Sequence, residues 1–570
     1  MNEPCGPTVP FSEELHAQKY RGEGESFREA MTRVASTLSN NKEHFQNFRN
    51  ILMNMRFMPA GRIQAAIGST RRTTPYNCFV SGTIEDSMVD GQGCITDRFK
   101  EAMTTMRMGG GIGYDFSTLR PRGATIRKLH SKSSGPVSFM EIFNAGCLAI
   151  SSAGHRRGAQ MGVLRVDHPD IEEFIHAKQN KHRLTGFNIS IGITDKFMRA
   201  VENDEDFDLV WKGEVYSTIR AQSLWNTIMR STWDWAEPGV LFIDRINEYN
   251  NLYYCETIAA TNPCAEQPLP PYGACLLGSF NLVKYLVQRG IDYSFNWDLF
   301  VSDIHVVVRG MDNVVDNAIY PLYEQEKEAY SKRRMGLGIT GLSNCLEAQG
   351  YAYGSGKFLE EFDKIMSVLT NQAYTASSNL AKEKGSFPLF DKRYLESKFV
   401  KRLDPDVQEL IKSQGIRNSH LISIAPTGTI SLCADNVSSG IEPVFAYSFD
   451  RTVREFNEDR TETVYDYGFK FLGVSGKKTS MVTTGEHLAV LAVAYKWVDS
   501  AVSKTCNVPS TTEWEDFKEI YVTAWKNGCK GCTTFQTGGK RGGVLVEKEE
   551  NAQEEVACKI DPETGRKTCE

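Results

Sequence analysis

Apolar residues near the start of the chain recur every three or four positions, which is the spacing of a helix with one buried face. Between residues 1 and about 70 this spacing is carried by Phe27, Met31, Val34, Ala35 and Leu38. Residues three and four apart lie on the same side of an α-helix. We therefore expect residues 1–70 to form a small N-terminal helical region.

Beyond about residue 75, short β-rich runs alternate with helical patterns. Every second position of one run is apolar, as in a strand: Phe187, Ile189, Ile191 and Ile193. Thr194 follows and is placed to cap a helix. His168 and Pro169 likewise open a helical pattern, whose apolar stripe is Ile171, Phe174 and Ile175. Alternating strands and helices predict an α/β fold with a largely parallel sheet.

The rest of the chain divides into one large domain and a tail. The length of 570 residues exceeds a typical single core, but barrel enzymes often run long as one unit. Residues 71–540 are therefore predicted to form one large domain. Residues 541–570 are polar and acidic without apolar periodicity, which predicts a flexible tail.

Composition narrows the class of protein. A formal charge of -6 and a pI near 6.0 argue against binding of polymeric nucleic acid, which needs many basic contacts. A nucleotide substrate remains compatible with this charge. The sequence contains no apolar run of membrane-spanning length and no signal-peptide pattern at its start. We expect a cytoplasmic protein without a membrane partner, in which the 14 cysteines are core or catalytic thiols.

One proline-rich segment, residues 261–275, contains two thiols, a carboxylate and an amide. Glu266 lies two residues after Cys264, so an extended chain points both side chains to one face, where the carboxylate can serve as a base. The four prolines of the segment restrict its backbone. For an isolated Cys-x-Glu, a surface turn with buried cysteines would be the simpler interpretation.

This segment resembles the active-site loop of ribonucleotide reductase catalytic subunits, closest to the adenosylcobalamin-dependent class II type. Further matching segments follow in the family's order over roughly residues 20 to 540: 77–80, 109–113, 154–159, 164–171, 242–247, 336–338 and 425–430. The resemblance implies an α/β barrel of ten strands, built from two five-stranded halves, with the Cys264 loop inside. Regulated members carry an ATP cone before the helical region. Only a few tens of residues precede the matched part here, so no ATP cone is expected.

The resemblance also assigns catalytic roles. Cys264 would hold a transient thiyl radical that abstracts the 3′-hydrogen of a ribonucleotide, and Glu266 would accept the 3′-hydroxyl proton. Asn262 would orient both groups. Cys78 and Cys275 would form the dithiol that supplies two electrons on closing to a disulfide.

Substrate and effector contacts are expected elsewhere in the matched segments. Residues 425–431 combine small and hydroxyl-bearing residues before an apolar stretch, as at a helix N-terminus that binds phosphate, although alone this pattern is only an N-cap. The expected substrate contacts are Asn77, Ser134, Gly135, Thr427, Gly428, Thr429, Ile430 and Ser431. In the family, the loop matching residues 154–161 responds to deoxynucleotide triphosphate effectors, which makes Arg156, Arg157 and Gln160 the candidates here. A solvated basic loop is the alternative.

Two further cysteine pairs lie near the C-terminus. Cys558 and Cys569 could re-reduce the buried disulfide and be recharged by a thioredoxin-like reductant, although their ten intervening residues exceed the usual family spacing. Cys529 and Cys532 form a CxxC without a second pair or a His cluster, so no metal site is expected.

The source of the radical distinguishes two classes of the family. Class I subunits receive the radical through a tyrosine pair on the last barrel strand. The corresponding stretch of this chain, residues 528–535, contains no tyrosine. Tyr253 and Tyr254, the one Tyr-Tyr pair, precede the active-site loop. This favours adenosylcobalamin, whose homolysis would produce a deoxyadenosyl radical next to Cys264. A class I subunit with a separate metal-containing partner and a non-catalytic nucleotide-binding relative are the alternatives. The matched effector loop works across a dimer interface in relatives, so we expect a homodimer.

Overall fold

The computed structural model describes residues 5–152, 156–157, 159–180, 182–454, 459–536, 546–547, 558–560 and 567–568. Its α-helices are α1 (Pro10–Tyr20), α2 (Phe27–Thr37), α3 (Lys42–Met53), α4 (Gly61–Ala66), α5 (Ile95–Arg107), α6 (Pro136–Ala149), α7 (Ile171–His176), α8 (Asp195–Glu202), α9 (Ala221–Trp235), α10 (Ile243–Glu248), α11 (Trp297–Asn317), α12 (Tyr323–Lys332), α13 (Leu342–Ala348), α14 (Gly356–Lys384), α15 (Pro405–Gln414), α16 (Gly428–Cys433), α17 (Tyr467–Leu472), α18 (Thr484–Trp497) and α19 (Trp514–Lys526).

The strands are β1 (Phe57–Pro59), β2 (Cys78–Val80), β3 (Gly111–Asp115), β4 (Thr125–Ile126), β5 (Ser131–Lys132), β6 (Ser151–Ser152), β7 (Arg156–Arg157), β8 (Gln160–Arg165), β9 (Phe187–Ile193), β10 (Asp206–Trp211), β11 (Glu214–Arg220), β12 (Gly239–Phe242), β13 (Ala260–Thr261), β14 (Pro268–Leu269), β15 (Ala274–Cys275), β16 (Leu277–Asn281), β17 (Leu286–Arg289), β18 (Asp292–Phe295), β19 (Gly336–Thr340), β20 (Ser448–Arg454), β21 (Asp459–Tyr465), β22 (Val474–Ser475), β23 (Thr505–Val508), β24 (Gly531–Gln536), β25 (Val546–Glu547), β26 (Cys558–Ile560) and β27 (Lys567–Thr568).

The largest sheet has eight strands in the order β15-β2-β3-β8-β9-β12-β24-β23. Its central strands β2, β3, β8, β9 and β12 are parallel neighbours. Each connection between them contains at least one helix, from α5 after β2 to α9 before β12. Helical crossovers are what parallel neighbours require. The prediction of an α/β fold with a largely parallel sheet is confirmed.

A second sheet has three strands in the order β1-β16-β19, with β16 and β19 parallel. Isolated parallel bridges continue beyond it, from Leu337 to Ile422 and from Ile424 to Val502. The assigned ladders therefore form sheets of eight and three strands, and closure into a ten-stranded barrel stays a prediction.

Local patterns predicted individual elements well, with one shifted boundary. β9 has the predicted bounds, and the Thr194 hydroxyl accepts a hydrogen bond from Phe197 N at 3.2 Å to cap α8. The helix predicted to open at His168 begins instead at Ile171. The His168 ring holds the preceding turn, because it bonds the Leu119 carbonyl at 2.9 Å and accepts from Asp170 N at 3.0 Å.

Residues 5–70 contain the helices α1 to α4, and this part of the chain is also joined to the sheets. Strand β1 pairs antiparallel with β16. The Asp435 carboxylate accepts hydrogen bonds from the backbone N–H groups of Thr8 and Val9, each at 2.9 Å. The domain boundary near residue 70 stays a prediction.

The C-terminal tail is described only in part. The backbone of Cys558 lies in β26, which pairs parallel with β22, whereas Cys569 lies outside the described residues. The predicted mobility of residues 541–570 stays a prediction. Among the described residues, none of the helices combines the length and the apolar character needed to cross a bilayer.

A hairpin positions the candidate site. Strands β13 and β14 pair antiparallel, and residues 262–267 form the tip between them. The hairpin passes so close to β3 that a Cβ atom at Gly113 would overlap the Thr261 carbonyl oxygen. A residue without a side chain is therefore needed at position 113.

Replacing Gly113 by Ala is expected to lower the free energy of unfolding by roughly 1–3 kcal/mol, because the added methyl group must displace the hairpin. Urea denaturation measures this change. Gly485→Ala is the control, since a Cβ atom there meets open space in helix α18. It should not lower stability, because alanine is the better helix former. Equal stability of the two variants would contradict the close passage.

Candidate active site

The side chain of Asn262 organises the hairpin tip. Its Oδ1 accepts hydrogen bonds from Gln267 N at 2.9 Å and from the Thr261 hydroxyl at 3.2 Å. The Asn262 carbonyl accepts from Ala265 N at 3.0 Å, and Ala265 adopts a positive φ of 66°. The carbonyl end of the Asn262 amide is therefore used by the turn, whereas its buried Nδ2 has no hydrogen-bond partner.

Three separate parts of the fold hold the tip in place. Asn188 on β9 donates from Nδ2 to the Pro263 carbonyl at 3.0 Å. The Glu266 carbonyl accepts from Ala501 N and from the Ser423 hydroxyl, each at 2.9 Å. The tip thus spans the space between the large sheet and the segments near residues 423 and 501.

Cys264 is exposed, and it faces a cavity of about 260 Å³. Strands β9, β12, β23 and β24 contribute to the cavity wall. Polar groups in the lining include Asn188, Ser190, Ser503, Lys504 and Thr533. The thiol is therefore accessible from the cavity while the rest of the tip is packed against protein.

Glu266 is buried and its Oε2 has no hydrogen-bond partner. Burial raises the pKa of this carboxyl to about 7. Near neutral pH the group therefore exists in both protonation states, as a general base with a well-matched pKa requires.

Cys78 and Cys275 stand directly opposite each other in the antiparallel ladder of β2 and β15. Opposed residues of such a ladder have Cα atoms roughly 4.5–5.5 Å apart, a separation that a disulfide accommodates. Burial raises the pKa of Cys275, and the neighbouring Cys78, Glu266 and Cys264 raise it further. The predicted catalytic residues are thus brought together at one site.

Asn77 lies beside this dithiol. Its N–H donates to the Cys275 carbonyl at 3.3 Å, and its buried Oδ1 has no partner. The predicted contacts Ser134 and Gly135 precede α6. Neither of these two residues lines the Cys264 cavity.

The segment predicted to bind phosphate begins at Thr427, which has a φ of 53° and precedes the six-residue helix α16. The Thr427 hydroxyl accepts from Gly440 N at 2.7 Å, and the Ser431 hydroxyl bonds the Ser439 hydroxyl at 2.8 Å. These hydroxyls brace the loop, and Ile430 is buried. Gly428 is exposed beside open space, and the preceding Pro426 lines the Cys264 cavity. Sequence alone did not distinguish bracing side chains from accessible ones.

Of the three effector candidates, the structure describes the side chain of Gln160 and only the backbone of Arg156 and Arg157. Arg156 and Arg157 form β7, which pairs with β6, and their side chains lie outside the described part of the structure. Gln160 is buried, where Tyr114 donates to its Oε1 at 2.9 Å and its Nε2 donates to the Phe143 carbonyl at 3.2 Å. Its amide therefore serves the core of the large sheet.

A second cavity, of about 450 Å³, lies at the opposite end of β8 from Gln160. Charged residues in its lining include Asp86, Arg165, Asp167 and Lys212. The buried Thr118 hydroxyl and Trp211 Nε1 have no partners, and both residues also line the cavity. It therefore offers both charge and unused hydrogen-bonding groups.

Tyr253, Tyr254 and Cys532, which the sequence analysis also considered, contact other parts of the protein. The hydroxyls of Tyr253 and Tyr254 donate to the carbonyls of Arg393 at 3.1 Å and Leu389 at 2.9 Å, and neither ring lines the Cys264 cavity. Cys532 interacts with Cys506 on the adjacent strand β23.

Sequence reasoning missed Asn188 and Ser423, which hold the tip. Asn188 is one of the polar positions in the alternating pattern of β9, and its spacing carries no further signal.

An exposed thiol, a buried carboxyl with a raised pKa and two opposed cysteines on an α/β fold are the groups that a cysteine-based reductase would need. The model of the family described as ribonucleotide reductase, barrel domain, matches residues 76–467 and 458–535. The chain belongs to the ribonucleotide reductase family.

Three relatives agree with this assignment. The vitamin B12-dependent ribonucleoside-diphosphate reductase of Mycobacterium tuberculosis (strain CDC 1551 / Oshkosh) is 35% identical, over 93% of this chain and 78% of the relative. The protein of the same name from Thermoplasma acidophilum is 33% identical, over 91% and 69%. The vitamin B12-dependent ribonucleotide reductase of Streptomyces clavuligerus is 28% identical, over 87% and 60%.

Burial of Glu266 gives its protonation a measurable effect on stability. The pKa is about 7 in the folded protein against an ordinary value of 4.5, so the native state loses stability as pH rises through that window. Glu266→Gln removes this loss. At each pH, the unfolding free energy of wild type is subtracted from that of the variant. This difference is expected to be larger at pH 8 than at pH 5 by roughly 1–3 kcal/mol.

Urea titrations at both pH values measure the change. Glu383→Gln is the matched control and should show no such gain, because a hydrogen bond from Arg309 lowers the pKa of Glu383. A difference between Glu266→Gln and wild type that does not vary with pH would contradict the raised pKa.

Proposed function

We propose that this protein reduces ribonucleotides to 2′-deoxyribonucleotides through a radical on Cys264. The observation that carries the proposal is the convergence of Cys264, Glu266, Cys78 and Cys275 at one site. An exposed thiol beside a buried carboxyl with a pKa of about 7 is an arrangement that hydrogen-atom and proton transfer can use.

Each group has one task in the reaction. The Cys264 sulfur radical takes the hydrogen atom from the 3′-carbon, and the Glu266 carboxylate takes the 3′-hydroxyl proton. The pKa of Glu266, about 7, allows the same group to return that proton. One thiol of the Cys78–Cys275 pair protonates the 2′-hydroxyl, which leaves as water. The pair also delivers a hydrogen to the 2′-carbon, and the two sulfurs give up two electrons and close to a disulfide. The hydrogen atom then returns from Cys264 to the 3′-carbon.

We propose that ten segments close into a barrel around the Cys264 hairpin. Residues 274–281 support this, since they pair with β2 through Cys275 and with β19 through Leu277. The bridges at Ile422 and Ile424 extend the pairing from β19 toward residue 502, and β23 then pairs with β24. The order of segments would be β2, β3, β8, β9, β12, β24, 500–508, 421–424, β19 and 274–281.

Adenosylcobalamin is the proposed radical source, as the names of the B12-dependent relatives suggest. The cavity at Cys264 has the scale of a nucleoside and not of a whole corrin. Asn188, Ser190 and Thr533 in its lining offer hydrogen-bonding groups, so the residues fit the nucleoside part of the cofactor. When bound, the cofactor supplies a species that removes a hydrogen atom from the Cys264 thiol. The absence of tyrosine from β24 disfavours the class I alternative.

The substrate is proposed to be a ribonucleoside diphosphate, because two of the relatives are named for that substrate. The exposed backbone at Gly428 and the partly buried Thr429 would face the phosphates, with Thr427 and Ser431 bracing the loop from behind. Ile430 would anchor the helix in the core.

The remaining assignments complete the cycle. Cys558 and Cys569 would pass electrons from a thioredoxin-like reductant to the buried disulfide. Deoxynucleotide triphosphates would act on the loop containing Arg156 and Arg157 in a homodimer. The buried position of Gln160 makes its contact with an effector indirect.

Purified protein should reduce ribonucleoside diphosphates when adenosylcobalamin and a dithiol reductant are the only additions. Cys264→Ser is expected to lower turnover on the order of 10³-fold or more, because a hydroxyl cannot replace the radical-bearing thiol. Cys255→Ser, a control at another exposed cysteine, should keep wild-type turnover. Activity that appears only with a second, metal-containing subunit would favour the class I alternative, and an active Cys264→Ser would refute the radical role.

A further inference from the structure

We propose that Arg98 of α5 is a positioning residue that sets the separation of Cys78 and Cys275 by tying together the chain segments next to them. The proposal rests on the dithiol role proposed above. We call the cluster of Arg98, Tyr272 and Glu101 the clasp.

Arg98 reaches both segments from a nearly buried position, at 9% exposure. Its Nε donates to the Thr83 carbonyl at 2.8 Å. Its Nη1 donates to both carboxylate oxygens of Glu101, at 2.8 and 2.9 Å, and also to the Tyr272 hydroxyl. The guanidinium lies 5.2 Å from the centre of the Tyr272 ring, within cation–π range. One side chain thus contacts residues on both sides of the ladder.

These contacts fall where the ladder of β2 and β15 ends. Its last hydrogen bonds run from Val80 N to the Gly273 carbonyl at 2.9 Å and from Tyr272 N to the Val80 carbonyl at 3.1 Å. Thr83 lies three residues beyond Val80, and Tyr272 lies three residues before Cys275. The clasp therefore closes the end of the ladder opposite the dithiol, with the pairs Phe79–Ala274 and Val80–Gly273 between them. Holding that end limits how far the two strands can separate at Cys78 and Cys275.

The clasp is also tightly packed. Tyr272 adopts a φ of 65°, which is unfavourable for a residue with a large side chain. A Cβ atom at Gly82 would lie 2.5 Å from Tyr272 Cζ and 2.8 Å from Arg98 Cζ. Little space remains for the two segments to move independently, so the fixed Tyr272 conformation carries the constraint to Cys275.

The consequence concerns the stability of the disulfide. Disulfide geometry tolerates only a narrow range of Cα separation, and the equilibrium for closing a dithiol depends on how often the two thiols meet. If the clasp prevents the segments from separating, its loss should favour the open dithiol. The pair would then be a weaker reductant.

The test is the thiol–disulfide exchange equilibrium of Cys78 and Cys275 against dithiothreitol, in which one disulfide forms as the other is reduced. Cys558→Ser and Cys569→Ser in every protein remove the tail thiols. Alkylation and mass spectrometry of the peptides containing Cys78 and Cys275 give the equilibrium constant without an activity measurement.

Arg98→Met is expected to lower the equilibrium constant for disulfide formation about tenfold, equivalent to about 30 mV. Arg98→Lys keeps the charge but loses the several N–H donors of the guanidinium. Its equilibrium constant should lie between those of wild type and Arg98→Met. Tyr272→Phe removes only the hydroxyl and should also lower the constant. Arg309→Met is the control, because it breaks a comparable two-bond pair with Glu383 on other helices, and its constant should equal that of wild type.

The outcomes separate the clasp from the proposed function. Suppose that the wild type forms the Cys78–Cys275 disulfide, and that the equilibrium constants of Arg98→Met and Tyr272→Phe both lie within twofold of the wild-type constant. This result would overturn the clasp and leave the dithiol role intact. Failure of the wild type to form that disulfide would refute the dithiol role and the clasp together. Should Arg98→Met not fold, as judged by circular dichroism, the result for Tyr272→Phe decides.

Discussion

The carbonyl oxygen of Thr261 occupies the space where any side chain at position 113 would stand. This steric constraint lets the hairpin of β13 and β14 lie against β3, and the position of the tip follows from it. Hydrogen bonds from Asn188, Ser423 and Ala501 then fix the tip. Cys264 is left facing a cavity while Glu266 is buried behind it.

The electrostatics of the site differ from those of the buried ion pairs in the protein. Lys504 is paired with Glu442 at 2.8 Å, and Arg333 is paired with Asp312 at 2.8 Å. Glu266 has no cation among the causes of its pKa shift, and burial alone raises it. Its carboxyl therefore stays near the midpoint of titration at neutral pH, and burial keeps Cys275 protonated. A reaction that moves protons and hydrogen atoms benefits from groups that are not locked in ion pairs.

The sequence predicted those features that depend on local patterns or on the order of motifs. β9, the Thr194 cap, the helical N-terminal region and the α/β class follow from periodicity. The Cys264 loop and the Cys78 partner came from the order of family motifs. Contacts between distant segments could not be predicted, because spacing does not show which buried polar group meets which. Gln160 is such a case: it belongs to a loop-like motif but bonds Tyr114 in the core.

The central claim is that one thiol and one dithiol act on the same sugar, and a single turnover tests it most directly. Pre-reduced protein with Cys558→Ser and Cys569→Ser, given substrate and cofactor but no external reductant, is quenched and its disulfides are mapped by mass spectrometry. One Cys78–Cys275 disulfide is expected for each deoxyribonucleotide formed. Product formed with both thiols still reduced, or with a disulfide elsewhere in the chain, would contradict the account.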